Sequence, residues 1–180
     1  ISMGGIYYAN RWVKKPRPEE SLDHALKGLS DAHVLYHYPS LPYDHILLTP
    51  AGVVILETVN LEGQFSYKDG KWKERITLGR AVRYIVEEHL GDPIQAAKSA
   101  VKHFKQLVRE KLPDCETIPV KPIVVFCHPR AVLDLDNPDL TVCLISKLRR
   151  HINEKQPRLP EAQYEQLKIF LNRRTIKSES

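Results

Sequence analysis

Apolar positions along the chain recur with two periods, and the switches between them mark the elements. Leu22, Ala25, Leu26 and Leu29 follow the i, i+3, i+4, i+7 spacing of an amphipathic helix, which predicts a helix over 19–29. Glu19 and Glu20 fall in its first turn, where the helix dipole favours anions. From His33 the pattern turns extended, and 33–38, 43–49 and 53–60 read as strands. The last two are joined through Thr49-Pro50-Ala51-Gly52, with turn signals at Pro50 and Gly52. Val53-Val54-Ile55-Leu56 is apolar on both faces, so its strand is expected at the centre of a sheet covered on both sides. Segments 64–68 and 71–75 frame Asp69-Gly70, a two-residue hairpin signal.

Helical spacing returns over 93–111. Asp92 is a natural N-cap, Pro93 suits the first helical position, and Gln95 stands where a capping-box partner belongs. Ile94, Ala97, Val101, Phe104 and Val108 form its core stripe, flanked by a basic stripe of Lys98, Lys102, Lys105 and Arg109. Segments 123–127 and 141–145 read as buried strands and 147–152 as a short helix. After Pro157 and Pro160, 161–174 is a last helix with Tyr164, Leu167 and Leu171 inward. This order predicts an α/β fold, a mixed central β-sheet flanked by helices. Three regions are expected: an N-terminal arm over 1–18 carrying Tyr7, Tyr8 and Trp12, a body over 19–155, and a C-terminal helical appendage over 156–180.

Composition narrows the class. The chain has 180 residues, enough for one domain with a substantial core, and 42% hydrophobic content argues against global disorder. Its 27 Lys and Arg against 22 Asp and Glu give a net charge of +5, which permits nucleic acid as a partner without requiring it. Three cysteines with no CxxC pair suggest a reduced, cytoplasmic setting. No run of about 20 apolar residues occurs, so no membrane span is expected. The start lacks the pattern of a signal peptide, and without an initial Met the sequence leaves open whether it is a fragment of a longer chain. Four histidines, His24, His33, His37 and His45, fall close in sequence but at no zinc spacing.

The candidate chemistry lies on the central hairpin. Asp44 and Glu57 interrupt two otherwise apolar strands, where carboxylates are costly unless paired or bound to a metal. Two carboxylates on adjacent strands suit a hard cation such as Mg²⁺. A loop of two or four residues sets them opposite each other on one face; a loop of three sets them on opposite faces unless a bulge intervenes. The turn sequence allows either.

The run from Tyr43-Asp44-His45 through Thr49-Pro50-Ala51-Gly52 to Leu56-Glu57-Thr58-Val59-Asn60 and Gly63 resembles the core of the nuclease-related domain family. That family carries Asp-His, three apolar residues, a turn with Gly, and an apolar strand ending Glu-x-Lys-Asn. Gly70-Lys71-Trp72 resembles its Gly-x-Trp strand, Asp92-Pro93-Ile94-Gln95 its helix start, and Glu20 its first-helix acid. The resemblance covers about residues 19–152. It implies a restriction-endonuclease-like fold of the PD-(D/E)xK kind and hydrolysis of nucleic acid, DNA in preference to RNA, with Mg²⁺ or Mn²⁺. Asp44, Glu57 and the Thr58 carbonyl would hold the metal, with Glu20 and Gln95 as further site residues. The family lysine is replaced by Val59. Lys98 is therefore expected as its substitute, ahead of Lys71 and Lys73, and Lys98, Lys102 and Lys105 as nucleic-acid contacts. The substitution also opens a second expectation: an inactive relative that binds nucleic acid or protein. Plainer readings stand beside these. Gln95 caps a helix, Glu20 complements a dipole, and the lysines form a solvated face.

Overall fold

The structure, a computed structural model, describes residues 17–38, 40–75, 90–152 and 156–175. Residues 1–16 of the expected arm, with its three aromatic residues, lie outside the described residues; Arg17 and Pro18 open the first helix.

Helix α1 (Pro18–Leu26) ends earlier than its apolar spacing predicts. Gly28 takes φ +83°, a conformation that turns the chain out of the helix at little steric expense only for glycine. Leu29 still packs on the same core, from the loop. The guanidinium of Arg149 donates to the carbonyls of Lys27 and Gly28 at 3.1 and 2.9 Å, placing a cation at the helix end.

Strands β1 (Val34–His37), β2 (His45–Thr49), β3 (Gly52–Val59), β6 (Val120–Phe126) and β8 (Thr141–Leu144) form a five-stranded sheet in the order β1-β2-β3-β6-β8. The first two pairings are antiparallel, and β3–β6 and β6–β8 are parallel. The doubly apolar β3 is central, between β2 and β6, as its sequence requires. Strands β4 (Gly63–Lys68) and β5 (Lys71–Arg75) form the expected hairpin, but in a separate three-stranded sheet with β7 (Ala131–Leu135) beside β4. Strand β7 was not expected. Its signal is the alternation of Ala131, Leu133 and Leu135 with the exposed Val132, Asp134 and Asp136, a half-buried strand in miniature.

Helix α2 (Pro93–Lys111) starts as predicted, the Asp92 carboxylate accepting from the Gln95 N–H at 3.1 Å. Helices α3 (Leu148–Ile152) and α4 (Glu161–Thr175) follow later in the chain. One face of the large sheet, with Ile46, Leu48 and Ile55, packs under Phe104 and Val108 of α2 and Leu167 of α4. The other face, with Leu47, Val54 and Leu56, packs under Leu22 and Leu26 of α1 and Leu148 of α3. A third cluster joins Val59, Val124 and Phe126 to Phe65 of the small sheet and Ile94 and Ala97 of α2. The result is a mixed α/β architecture compatible with a restriction-endonuclease-like fold.

The β2–β3 turn sets everything that follows. Thr49 pairs with Gly52, so Pro50 and Ala51 alone make the loop. The Thr49 hydroxyl donates to the Gly52 carbonyl at 3.0 Å and accepts from the Ala51 N–H at 3.2 Å. Gly52 takes φ +145°, and a Cβ there would lie 2.4 Å from the Pro119 carbonyl oxygen. Only glycine fits. The Val53 N–H donates to that same oxygen at 2.9 Å.

Candidate functional site

Strand alternation and a two-residue loop decide the position of the acids. His45 faces Leu56, and one further step outward puts Asp44, just before β2, opposite Glu57 in β3. Directly opposed residues in an antiparallel pair hold their Cβ atoms about 4.5–5.5 Å apart. Both acids share the face of Ile46, Leu48, Val53 and Ile55, which α2 covers. Both are half-buried rather than enclosed as their apolar flanks suggested, because they sit at the strand ends beside an opening. Of the arrangements the turn left open, the structure has the one that brings them together.

Asp44 and Glu57 line a pocket of about 400 Å³ with Tyr43, Ser99 and His103. The wall opposite the strands is one side of α2, where Ala96, Ser99, Ala100 and His103 recur at helical spacing. Tyr43 is 3% exposed and meets the His103 ring edge-on, with centroids 5.8 Å apart. Its buried hydroxyl has no hydrogen-bond partner among the described residues. Burial pushes the phenol well above its ordinary range, and the charge of Arg174 pulls weakly the other way. Sequence reasoning did not single out His103 or Ser99. The available signal was their i, i+4 spacing, with His103 on the side of the helix away from Lys98 and Lys105 and Ser99 on the polar face between them.

The remaining candidates fall elsewhere. Lys98 meets the Asp139 carboxylate, whose hydrogen bond and charge hold the ammonium above its usual range. At 100° per residue, Lys98 and Lys105 lie roughly 140–160° round the helix from His103 and roughly 100–120° from Ser99. Lys102 and Lys105 are exposed and do not line the pocket. Gln95 is exposed one turn before Ser99, its N–H bound by the cap. Glu20 pairs with Arg17 at 3.1 Å. Its helix α1 packs on the sheet face opposite the acids. Thr58 follows Glu57 in β3, half-buried, in register with Val125. Val59 is 7% exposed and packs with Ile94, Ala97 and Phe126.

Of the four clustered histidines, two come together on the sheet's other face. His37 and His45 are opposed on the β1–β2 ladder and share a hydrogen bond between their Nδ1 atoms at 2.9 Å. His37 also reaches Asp23 at 3.0 Å through Nε2. Among the described residues no group of three or more His, Cys, Asp or Glu is arranged to hold a metal ion. The three cysteines are free and buried. No helix among the described residues is long and apolar enough to cross a membrane.

A family model for the nuclease-related domain matches residues 15–127. The match runs from the start of α1 through β6 and includes both acids, the turn between them and the α2 wall. No curated protein sequence and no solved structure matches the chain. With more than half its length matched and its two acids opposed on the central hairpin, the chain belongs to the nuclease-related domain family.

Proposed function

We propose that the chain hydrolyses phosphodiester bonds of nucleic acid, DNA first, at the pocket lined by Asp44 and Glu57, with Mg²⁺ or Mn²⁺. The observation that supports this is the opposition of the two carboxylates on one sheet face, at an open pocket within the family-matched segment. The donor set fits such an ion. Mg²⁺ is commonly held by one or two carboxylates, with waters and substrate phosphate filling the other positions, so a third acidic ligand is not needed. Asp44 and Glu57 would hold it, with the Thr58 carbonyl as a further oxygen donor. When bound, the ion supplies charge to the phosphate and lowers the pKa of a water.

The chain's own groups supply the rest. The family lysine has no counterpart at Val59, whose side chain is sealed among Ile94, Ala97 and Phe126. His103 takes the proton-handling role. Imidazole is the side chain suited to accept and return a proton near neutral pH, and His103 faces the acids across the pocket. Ser99, one turn away, offers a hydroxyl donor to a phosphate oxygen. Tyr43 steadies the His103 ring by its edge contact. Lys98, held by Asp139, serves the opposite flank.

A second reading has one observation in its favour. The apolar packing of Val59 suits a relative that binds nucleic acid without cutting it. A cleavage assay on single- and double-stranded DNA and RNA, with Mg²⁺ and with Mn²⁺, separates the two. Cleavage by the natural chain that disappears in Glu57→Ala supports the nuclease. Binding without cleavage in every condition supports the second reading. Unchanged Mn²⁺ binding by calorimetry in both Asp44→Ala and Glu57→Ala would remove the metal assignment altogether.

A further inference from the structure

A second groove, of about 710 Å³, lies beyond the C-terminal end of α2 and along α4. Its lining includes Ser40, Lys111, Ile169, Phe170, Arg173 and Arg174. We propose that this groove holds the single strand of nucleic acid flanking the phosphate engaged at the Asp44–Glu57 pocket. The proposal rests on the reading of that pocket as the site that receives a phosphodiester. Helix α4, which carries Ile169, Phe170, Arg173 and Arg174, lies outside the family-matched segment, while Ser40 and Lys111 lie within it.

Three observations converge on a nucleic-acid strand. The first is charge. Lys111, Arg173 and Arg174 make no ion pair with a carboxylate among the described residues, whereas Lys68, Lys98, Arg109 and Arg130 are each neutralised by one. Three uncompensated cations around one groove form a polyanion site. The second is the platform. Ile169 is 49% exposed, and the Arg174 guanidinium lies 4.5 Å from the centroid of the Phe170 ring. An apolar shelf beside an arginine stacked on an aromatic ring suits unpaired bases, which stack on such surfaces with little regard to sequence.

The third is continuity. Lys111 lies eight residues after His103 on α2, about 12 Å along the axis. That is the span of a few nucleotides at 3.4 Å or more per residue. The loop before β2 joins the same two places. Ser40 borders the groove, its N–H and hydroxyl donating to the Arg174 carbonyl at 3.3 and 3.1 Å, and four residues later Asp44 borders the pocket. Helix and loop thus each border both the pocket and the groove. A protein partner of acidic character would meet the charge but has no need of the path to the acids.

The test is fluorescence anisotropy with fluorescein-labelled 20-mers of dT and of rU, in EDTA so that binding is read without cleavage. Two variants are compared with the natural chain: Lys111→Gln/Arg173→Gln, both exposed positions, and Lys147→Gln/Arg150→Gln, which removes equal charge from the opposite sheet face. The groove variant is expected to bind at least tenfold more weakly at low salt. Its log affinity against log salt should be shallower by about 1.4, the value for two lost phosphate contacts on a single strand. The opposite-face variant should change less than twofold. The two probes tell whether the strand is DNA, RNA or either. Groove-variant affinity within twofold of the natural chain overturns the proposal, as does an equal loss in both variants or no binding by the natural chain. Displacement of the oligonucleotide by poly-glutamate at equal charge concentration overturns it in favour of an acidic protein. If the natural chain binds through the groove yet never cleaves, the nuclease reading fails and the groove stands.

Discussion

Helix α2 carries two polar flanks beside its apolar stripe. On one, Ser99 and His103 face Asp44 and Glu57 across a pocket. On the other, Lys98, Lys105 and Arg109 recur at helical spacing, and two of the three already have acidic partners, Lys98 in Asp139 and Arg109 in Glu116. By sequence the lysine flank is the conspicuous one. By structure Lys98 and Arg109 on this flank are held in surface ion pairs, each worth little in water. Of the titratable side chains on the quieter flank, His103 is the one that lines the pocket with the acids. Charge density along a helix reports composition; where the helix turns that charge depends on what packs beneath it.

Four measurements sharpen or break this contrast. Val59 lies under the first turn of α2, and Val59→Lys buries an ammonium among Ile94, Ala97 and Phe126. A loss of about 2–4 kcal/mol in urea unfolding is expected. An unchanged midpoint would mean that the lysine escapes to the pocket, and the family geometry could then be restored. Next, His103→Ala should lower kcat by about 10²-fold while oligonucleotide affinity stays within a few-fold. A fall in affinity with kcat intact would make His103 a binding residue instead.

The core on the other sheet face, under α1 and α3, gives the third. Burial, with a smaller contribution from Cys143, pushes the Cys127 thiol from its ordinary 9.0 up to about 12. Burial likewise takes Cys143 up to about 11. The unfolded thiols ionise first, so the folded state keeps its full stability below about pH 9 and loses it as pH rises toward the folded values. Urea midpoints at pH 8 and pH 10.5 should differ, and Cys127→Ala should narrow the difference. A pH-independent midpoint would argue that these thiols reach solvent. The smallest effect belongs to the lysine flank: Lys98→Ala and Lys102→Ala/Lys105→Ala should each alter cleavage by less than about threefold. A loss matching that of His103→Ala would reverse the assignment of the two flanks.

Much of this architecture is legible in the residues. An apolar run with no polar alternation can only be a central strand, and Val53–Leu56 is one. Asp92, Pro93 and the 3.6 period locate α2 to the residue. The opposition of Asp44 and Glu57 was legible only conditionally, because it depends on loop length and Pro50-Ala51 does not announce whether one more residue joins the turn. Strand β7 was hidden by its brevity and by Val132, which is apolar yet 53% exposed. The pairing of Lys98 with Asp139 spans 41 residues, a contact no helical period encodes. The early end of α1 at Gly28 was in view, but Leu29 continues the apolar spacing from a loop and so masks it. His103 is one of eight histidines, and nothing marks it until a second element lies across from it.

The two-residue turn at Pro50-Ala51 makes the pocket a matter of counting. Side chains alternate between faces, so one residue inserted between Thr49 and Gly52 would exchange odd for even along one of the two strands that the turn joins. Strand β3 cannot move to absorb it, because Gly52 is pressed against the Pro119 carbonyl and Val53 is bonded to it. The slip would fall on β2 instead, and Asp44 would then point toward α1 and α3 while Glu57 stayed under α2. Every proposed site residue would still be present, and the site would be gone. In a diverging gene, a three-nucleotide slip at this turn is therefore as silencing as the loss of an acid, while leaving no trace at the positions where one would look.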